Sequence, residues 1–182
     1  MKYFINFLTI SRIISAPILF ILITSLQSYG LVFIIFFLAS ISDYLDGFLA
    51  RKYNLTSILG EILDPIADKI LIVFSLIGLG IAMESIFIGG LTSIILAREF
   101  WVSALRDMNA RVGNVNATKV TFLAKIKTTL QMMAIASYFI ALYLGNALLI
   151  FLSDFILLLA TIVTLKTGIS YTIASLGIKK EG

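Results

Sequence analysis

The chain contains neither cysteine nor histidine. The first absence excludes disulfides, thiolate nucleophiles and thiolate metal ligands; the second excludes imidazole base catalysis. Charge is scarce as well, with Asp, Glu, Lys and Arg making up 13% of the 182 residues against 60% that are hydrophobic. Internal repeats, low-complexity tracts and linkers are also missing, and the one sizeable polar stretch is D-M-N-A-R-V-G-N-V-N-A-T, from Asp107 to Thr118. Any chemistry must therefore come from carboxylates, Lys, Arg, Tyr, hydroxyl groups or a bound metal, and one domain over residues 1–182 is the economical reading.

A mean hydropathy of +1.06 does not describe a soluble surface. Apolar runs near residues 5–26, 30–50, 58–82, 86–106, 121–144 and 149–176 approach the roughly 20 residues that cross a hydrocarbon core of about 30 Å. The expected fold is all-α, a polytopic membrane protein of six transmembrane helices. Asn6, Thr9, Ser11 and Arg12 interrupt the start of the first run and no small-residue cleavage site closes it, so it reads as a retained span that begins as an interfacial helix.

Lys and Arg are absent from the loops at 27–30, 82–90 and 145–148, whereas Lys2, Arg12, Arg51, Lys52, Arg98, Arg106, Arg111, Lys119, Lys125, Lys127, Lys179 and Lys180 fall on the other side. The positive-inside rule then places both termini on the cytoplasmic face of a bacterial-type inner membrane. The net charge of +4 is a local bias toward anionic headgroups and phosphorylated substrates rather than a sign of nucleic-acid binding.

Against this hydrocarbon background stands D-Y-L-D-G-F-L-A-R, eight further residues, then G-E-I-L-D-P-I-A-D, from Asp43 to Asp68. At about 100° per residue, Asp43, Asp46, Gly47 and Ala50 share an arc of about 100° on one helix. Gly60, Asp64 and Asp68 follow one face of the next helix, and a short connection makes the two helices antiparallel neighbours. Four converging carboxylates repel one another unless they take up protons or cations. All-oxygen ligation points to two divalent hard cations, Mg²⁺ or Mn²⁺, a pair suited to in-line displacement at phosphorus. The small residues leave room for a flat or bulky group, although each also serves as an ordinary helix-packing contact.

The pattern D-x2-D-G-x2-A-R-x8-G-x3-D-x3-D, met by Asp43, Asp46, Gly47, Ala50, Arg51, Gly60, Asp64 and Asp68 without gap or substitution, resembles the signature of the CDP-alcohol phosphotransferases. The resemblance implies a six-helix membrane enzyme that joins an alcohol to the phosphatidyl group of CDP-diacylglycerol and releases CMP, with its active site at the cytoplasmic interface, and it implies a homodimer. It makes Asp43, Asp46, Asp64 and Asp68 the metal-site carboxylates and Asp68 the general base. Gly47, Ala50, Gly60 and Arg51 would border the CDP moiety together with Asp43, and Asn6 and Thr9, with Arg12, would reach its diphosphate from the first helix. Capping and interfacial anchoring account for the last three as well.

The stretches N-F-L-T-I-S-R-I, A-D-K-I, A-R-E-F-W-V-S-A-L-R and A-K-I-K-T-T-L-Q-M resemble the branch of that family whose acceptor is glycerol 3-phosphate. A missing tryptophan near the middle of T-L-K-T-G-I-S-Y departs from it. A phosphorylated acceptor needs fixed cations: Arg98 and Arg106, eight residues and about 80° apart, flank one pocket, and Lys125 and Lys127 add point charges. The rival reading for all such cations is topological anchoring. Glu99 pairs with a neighbouring arginine, and Lys166 is either functional or snorkels to the interface. Trp101 belongs to packing or the aromatic belt, and Glu84 and Asp154 lie toward the outer face. Rival functions are a related synthase using serine, inositol phosphate or phosphatidylglycerol, and a divalent-cation transporter; the latter would distribute polar groups through the membrane depth.

Overall fold

A computed structural model describes residues 2–53, 58–114 and 122–177, and among these the side chains of 7–42, 63–114 and 122–177. Six helices follow in order: α1 (Lys2–Thr24), α2 (Tyr29–Tyr53), α3 (Ile58–Ala82), α4 (Ile86–Arg111), α5 (Phe122–Leu144) and α6 (Ala147–Ser175). Each apolar run of the sequence is one helix. The helices outrun the runs where polar residues follow, as α2 does through Arg51 and Lys52 and α4 through Arg111, because hydropathy marks hydrocarbon depth and not the end of backbone hydrogen bonding.

Four helices contain stretches long and apolar enough to cross a membrane: Phe7–Thr24, Leu63–Ala82, Ile86–Arg111 and Ala147–Ser175. The expectation of six spans is thus met as six helices, with span-like character in four among the described residues. The described apolar part of α2 is the shorter Tyr29–Ser42. In α5, Lys125, Lys127 and Gln131 dilute the first half.

Short connections make sequential helices antiparallel, but among the described residues α1 lies between α2 and α3, so the expected direct packing of those two is not seen. Ser85 caps α4 by accepting from the Ile88 amide, and Asn146 caps α6 by accepting from Leu148 and Leu149. Gly145, at φ +61°, supplies the left-handed residue that lets α5 end and α6 begin within two residues. The helices pack as a ring, α1–α3–α4–α6–α5–α2, with α3 also touching α5 across the middle.

Side-chain distribution on α1 shows how the ring meets its surroundings. Thr9, Arg12, Ala16, Leu19 and Ile23 form its buried inner stripe, while Ile10, Ile14, Ile18 and Ile21 are 45–56% exposed on the other side. Water would penalise that outer row, and hydrocarbon would not. Inside, Leu71, Leu76 and Leu79 of α3 pack with Ile135 and Phe139 of α5, and Phe36 of α2 meets Phe139 edge-on at 5.6 Å. Gly78 permits the close approach of α1, since a Cβ there would lie 3.2 Å from Ile23 Cδ1. Gly78→Leu is expected to overpack this seam by about 1–3 kcal/mol, read as a lowered thermal unfolding temperature of the detergent-purified protein.

Candidate active site

Two of the four signature carboxylates, Asp64 and Asp68, have described side chains, one turn apart on α3. They meet α1. Thr9 Oγ1 donates to Asp64 Oδ1 at 2.7 Å, and Arg12 donates to Asp68 Oδ1 at 2.5 Å and to Asp64 Oδ1 at 3.5 Å. The Arg12 side chain is wholly buried, whereas those of Asp64 and Asp68 remain 39% and 26% exposed. Burial of a guanidinium is tolerable only beside such partners. The spacing Thr9-x2-Arg12 puts both donors on the inner stripe of α1, and Asp64-x3-Asp68 puts both acceptors on the facing stripe of α3.

A second charged cluster joins three helices. Glu99 of α4 accepts from Arg98 at 3.0 Å and from Lys127 of α5, and lies 3.6 Å from Lys69 of α3. Arg98 also donates through Nε to the Thr164 carbonyl at 3.0 Å and through Nη2 to Thr167 Oγ1 at 2.8 Å, both on α6. Gln131 of α5 donates to Thr164 Oγ1 at 3.1 Å, closing the network on its third side. Gly168 makes the Arg98 position possible, because a Cβ there would stand 3.0 Å from Arg98 Cγ. The Arg98 and Arg106 guanidinium groups approach the Tyr171 ring at 5.7 and 5.9 Å from its centroid.

Both clusters border one cavity of about 590 Å³, whose walls include Asp64 and Asp68 together with Lys69, Arg98, Glu99, Arg106 and Lys127. A cationic wall and a carboxylate wall therefore share one space. A model of the CDP-alcohol phosphatidyltransferase family matches residues 3–169. The chain belongs to that family. Relatives of the family that it resembles include proteins named CDP-diacylglycerol--glycerol-3-phosphate 3-phosphatidyltransferase from Rickettsia bellii (41% identical, 91% of each chain) and Wigglesworthia glossinidia brevipalpis (41% identical, 71% of this chain and 72% of the relative). A third, from Haemophilus influenzae, bears the same name at 35% identity over 91% of this chain and 89% of its own.

Of the family's signature positions, Asp43, Asp46, Gly47, Ala50 and Arg51 lie on α2 and Gly60 on α3, but their side chains fall outside the described residues, as does that of Asn6. No group of three or more His, Cys, Asp or Glu side chains assembles among the described residues. The donors that are described fit hard cations in kind: Asp64 and Asp68 are neighbouring, partly exposed carboxylates at the cavity wall. Thr9 is placed against Asp64. Of the expected phosphate cations, Arg98, Arg106 and Lys127 line the cavity, whereas Lys125 is exposed and is not part of its wall.

Sequence reading had Arg12 only near a diphosphate and overlooked Lys69, Gln131, Thr164 and Thr167. Arg12 and Lys69 had a usable signal, each being a cation within a turn of the residues already singled out. The hydroxyl and amide groups had none, since Ser and Thr satisfy themselves within membrane helices, as Thr161 does on the Leu157 carbonyl. Trp101 donates to Thr172 and so ties α4 to α6, Asp154 accepts from Tyr138, and Lys166 is exposed.

Glu99 is the hub of the second cluster, and neutralising it leaves Arg98 and Lys127 buried without their shared anion. Glu99→Gln is expected to cost on the order of 3 kcal/mol, the low end for breaking a buried pair because the cavity admits water. Denaturant titration of the purified variant in detergent provides the measurement.

Proposed function

We propose that the chain transfers the phosphatidyl group of CDP-diacylglycerol to glycerol 3-phosphate, yielding phosphatidylglycerol phosphate and CMP. The observation that carries this reading is the single cavity bordered both by Asp64 and Asp68 and by Arg98, Arg106 and Lys127. The names borne by the relatives agree with it. A neutral or zwitterionic acceptor would not need so many cations, whereas a phosphate dianion does.

In this reading Asp43, Asp46, Asp64 and Asp68 hold two divalent cations, Mg²⁺ or Mn²⁺, which when bound would neutralise the diphosphate and the departing CMP. Gly47, Ala50, Arg51 and Gly60 border the cytidine end, and Asn6, Thr9 and Arg12 approach from α1. Arg98, Arg106 and Lys127 hold the acceptor phosphate. One of the two free hydroxyl groups of glycerol 3-phosphate gives its proton to Asp68 as the oxygen bonds to the phosphatidyl phosphorus, and the bond from that phosphorus to CMP breaks.

The membrane placement belongs to the same reading. All six helices cross, both termini and the cavity lie on the cytoplasmic side of an inner membrane, the lipid enters between helices, and two chains pair as the family resemblance implies. Transport of a divalent cation is disfavoured because the carboxylates of the signature gather at one end of the bundle rather than along it.

Purified protein supplied with CDP-diacylglycerol and Mg²⁺ or Mn²⁺ is expected to release CMP with glycerol 3-phosphate and not with serine, inositol, inositol phosphate or phosphatidylglycerol, and to stop on addition of a chelator. Release with a different alcohol would overturn the acceptor, and no release with any would overturn the reaction. Asp68→Asn is expected to keep CDP-diacylglycerol binding and lower turnover by about 10²- to 10⁴-fold; a variant of undiminished turnover removes Asp68 as the base.

A further inference from the structure

Three of the four cations at the cavity wall, Arg98, Lys127 and Lys69, meet at Glu99, and they are not equally committed. Arg98 donates to Glu99, Thr164 and Thr167, so three of its five N–H groups are spent on the protein. Lys127 is 9% exposed and bound to Glu99. Lys69 differs from both. Its side chain is 38% exposed, it stands 3.6 Å from Glu99, beyond hydrogen-bond reach, and its one hydrogen bond shown is to Ser103 Oγ at 3.0 Å. Ser103 itself lines the cavity.

Glu99 is divided in the same sense. Its Oε1 takes both Arg98 and Lys127, while Oε2 faces only Lys69 among the ion pairs described. An ammonium 38% exposed and beyond hydrogen-bond reach of the carboxylate is held only weakly by it. A phosphate oxygen offers a charge-assisted bond that outcompetes both the Ser103 hydroxyl and the distant carboxylate. Lys69 and Asp68 border the same cavity, so a phosphate gripped by the ammonium keeps the rest of a small molecule within that space.

Resting on the reaction proposed above, we infer that Lys69 is an acceptor-binding residue: its ammonium leaves Ser103 and Glu99 to bind the phosphate of the incoming glycerol 3-phosphate, while Arg98 and Lys127 stay fixed on Glu99 as the rigid part of the pocket. Specificity for a phosphorylated acceptor then depends on Lys69 more than on Arg98. The selectivity is chemical, since an alcohol without the phosphate gives Lys69 nothing better than its resting partners.

The test uses the full chain in lipid nanodiscs with Lys69→Met, Lys69→Arg and, as a charge-matched control outside the cavity wall, Arg111→Gln. Inorganic phosphate serves as a probe that needs no turnover. Phosphate is expected to raise the thermal unfolding temperature of the wild-type protein and of Arg111→Gln, and to lose that effect in Lys69→Met. In the CMP-release assay, Lys69→Met is expected to raise KM for glycerol 3-phosphate tenfold or more, to leave KM for CDP-diacylglycerol within twofold, and to be partly rescued in Lys69→Arg. Unchanged phosphate stabilisation and unchanged KM in Lys69→Met overturn the proposal. A fall in kcat with both KM values intact overturns it too, assigning Lys69 a role in positioning Asp68. Wild-type protein that is stabilised by phosphate through Lys69 yet uses no glycerol 3-phosphate would instead overturn the reaction and leave the anion site standing.

Discussion

A carboxylate packed between helices loses part of its water, and a cation carried by another helix replaces what is lost. The bundle meets this demand twice. Arg12 of α1 serves Asp64 and Asp68 of α3, and Glu99 of α4 draws in Lys69 of α3 and Lys127 of α5. Each pairing crosses a helix seam, so charge neutralisation and helix placement are one event. Remove the cation and the carboxylate must protonate or the seam must open.

Hydroxyl and amide groups extend the same logic into the weaker seams. Thr164 returns a hydrogen bond to its own helix through the Ala160 carbonyl, accepts from Gln131 and lends its carbonyl to Arg98. Ser153 joins Ser137, and Asn109 donates to Ser175. Lipid supplies no hydrophobic force between helices, so such bonds, with close packing of small residues, hold α4, α5 and α6 together. Gly78 against Ile23 and Gly168 against Arg98 show the packing half of the same bargain.

The helices were legible because long hydrophobic runs read as helices, and the nearness of Asp64 and Asp68 on α3 was legible from their helical spacing. That α5 has weaker span character was not legible from its length; it follows from Lys125, Lys127 and Gln131 in its first half. Partnerships were the least legible. Glu99 sits beside Arg98 in the chain, and that pairing was foreseen; its contact with Lys127, 28 residues away, and its proximity to Lys69 depend on how three helices rotate about their axes, which no local pattern encodes.

Gly168 sets a notch in α6 and the stem of Arg98 is the tooth that fits it. A slide of α6 by one turn would bring Thr164 or Thr172 to that place, and either carries a side chain where none fits. The α4–α6 wall is therefore indexed to a single register and cannot breathe by sliding. At the cavity the α3–α4 seam is bridged instead by Lys69 and Ser103, an exposed contact that fixes no register.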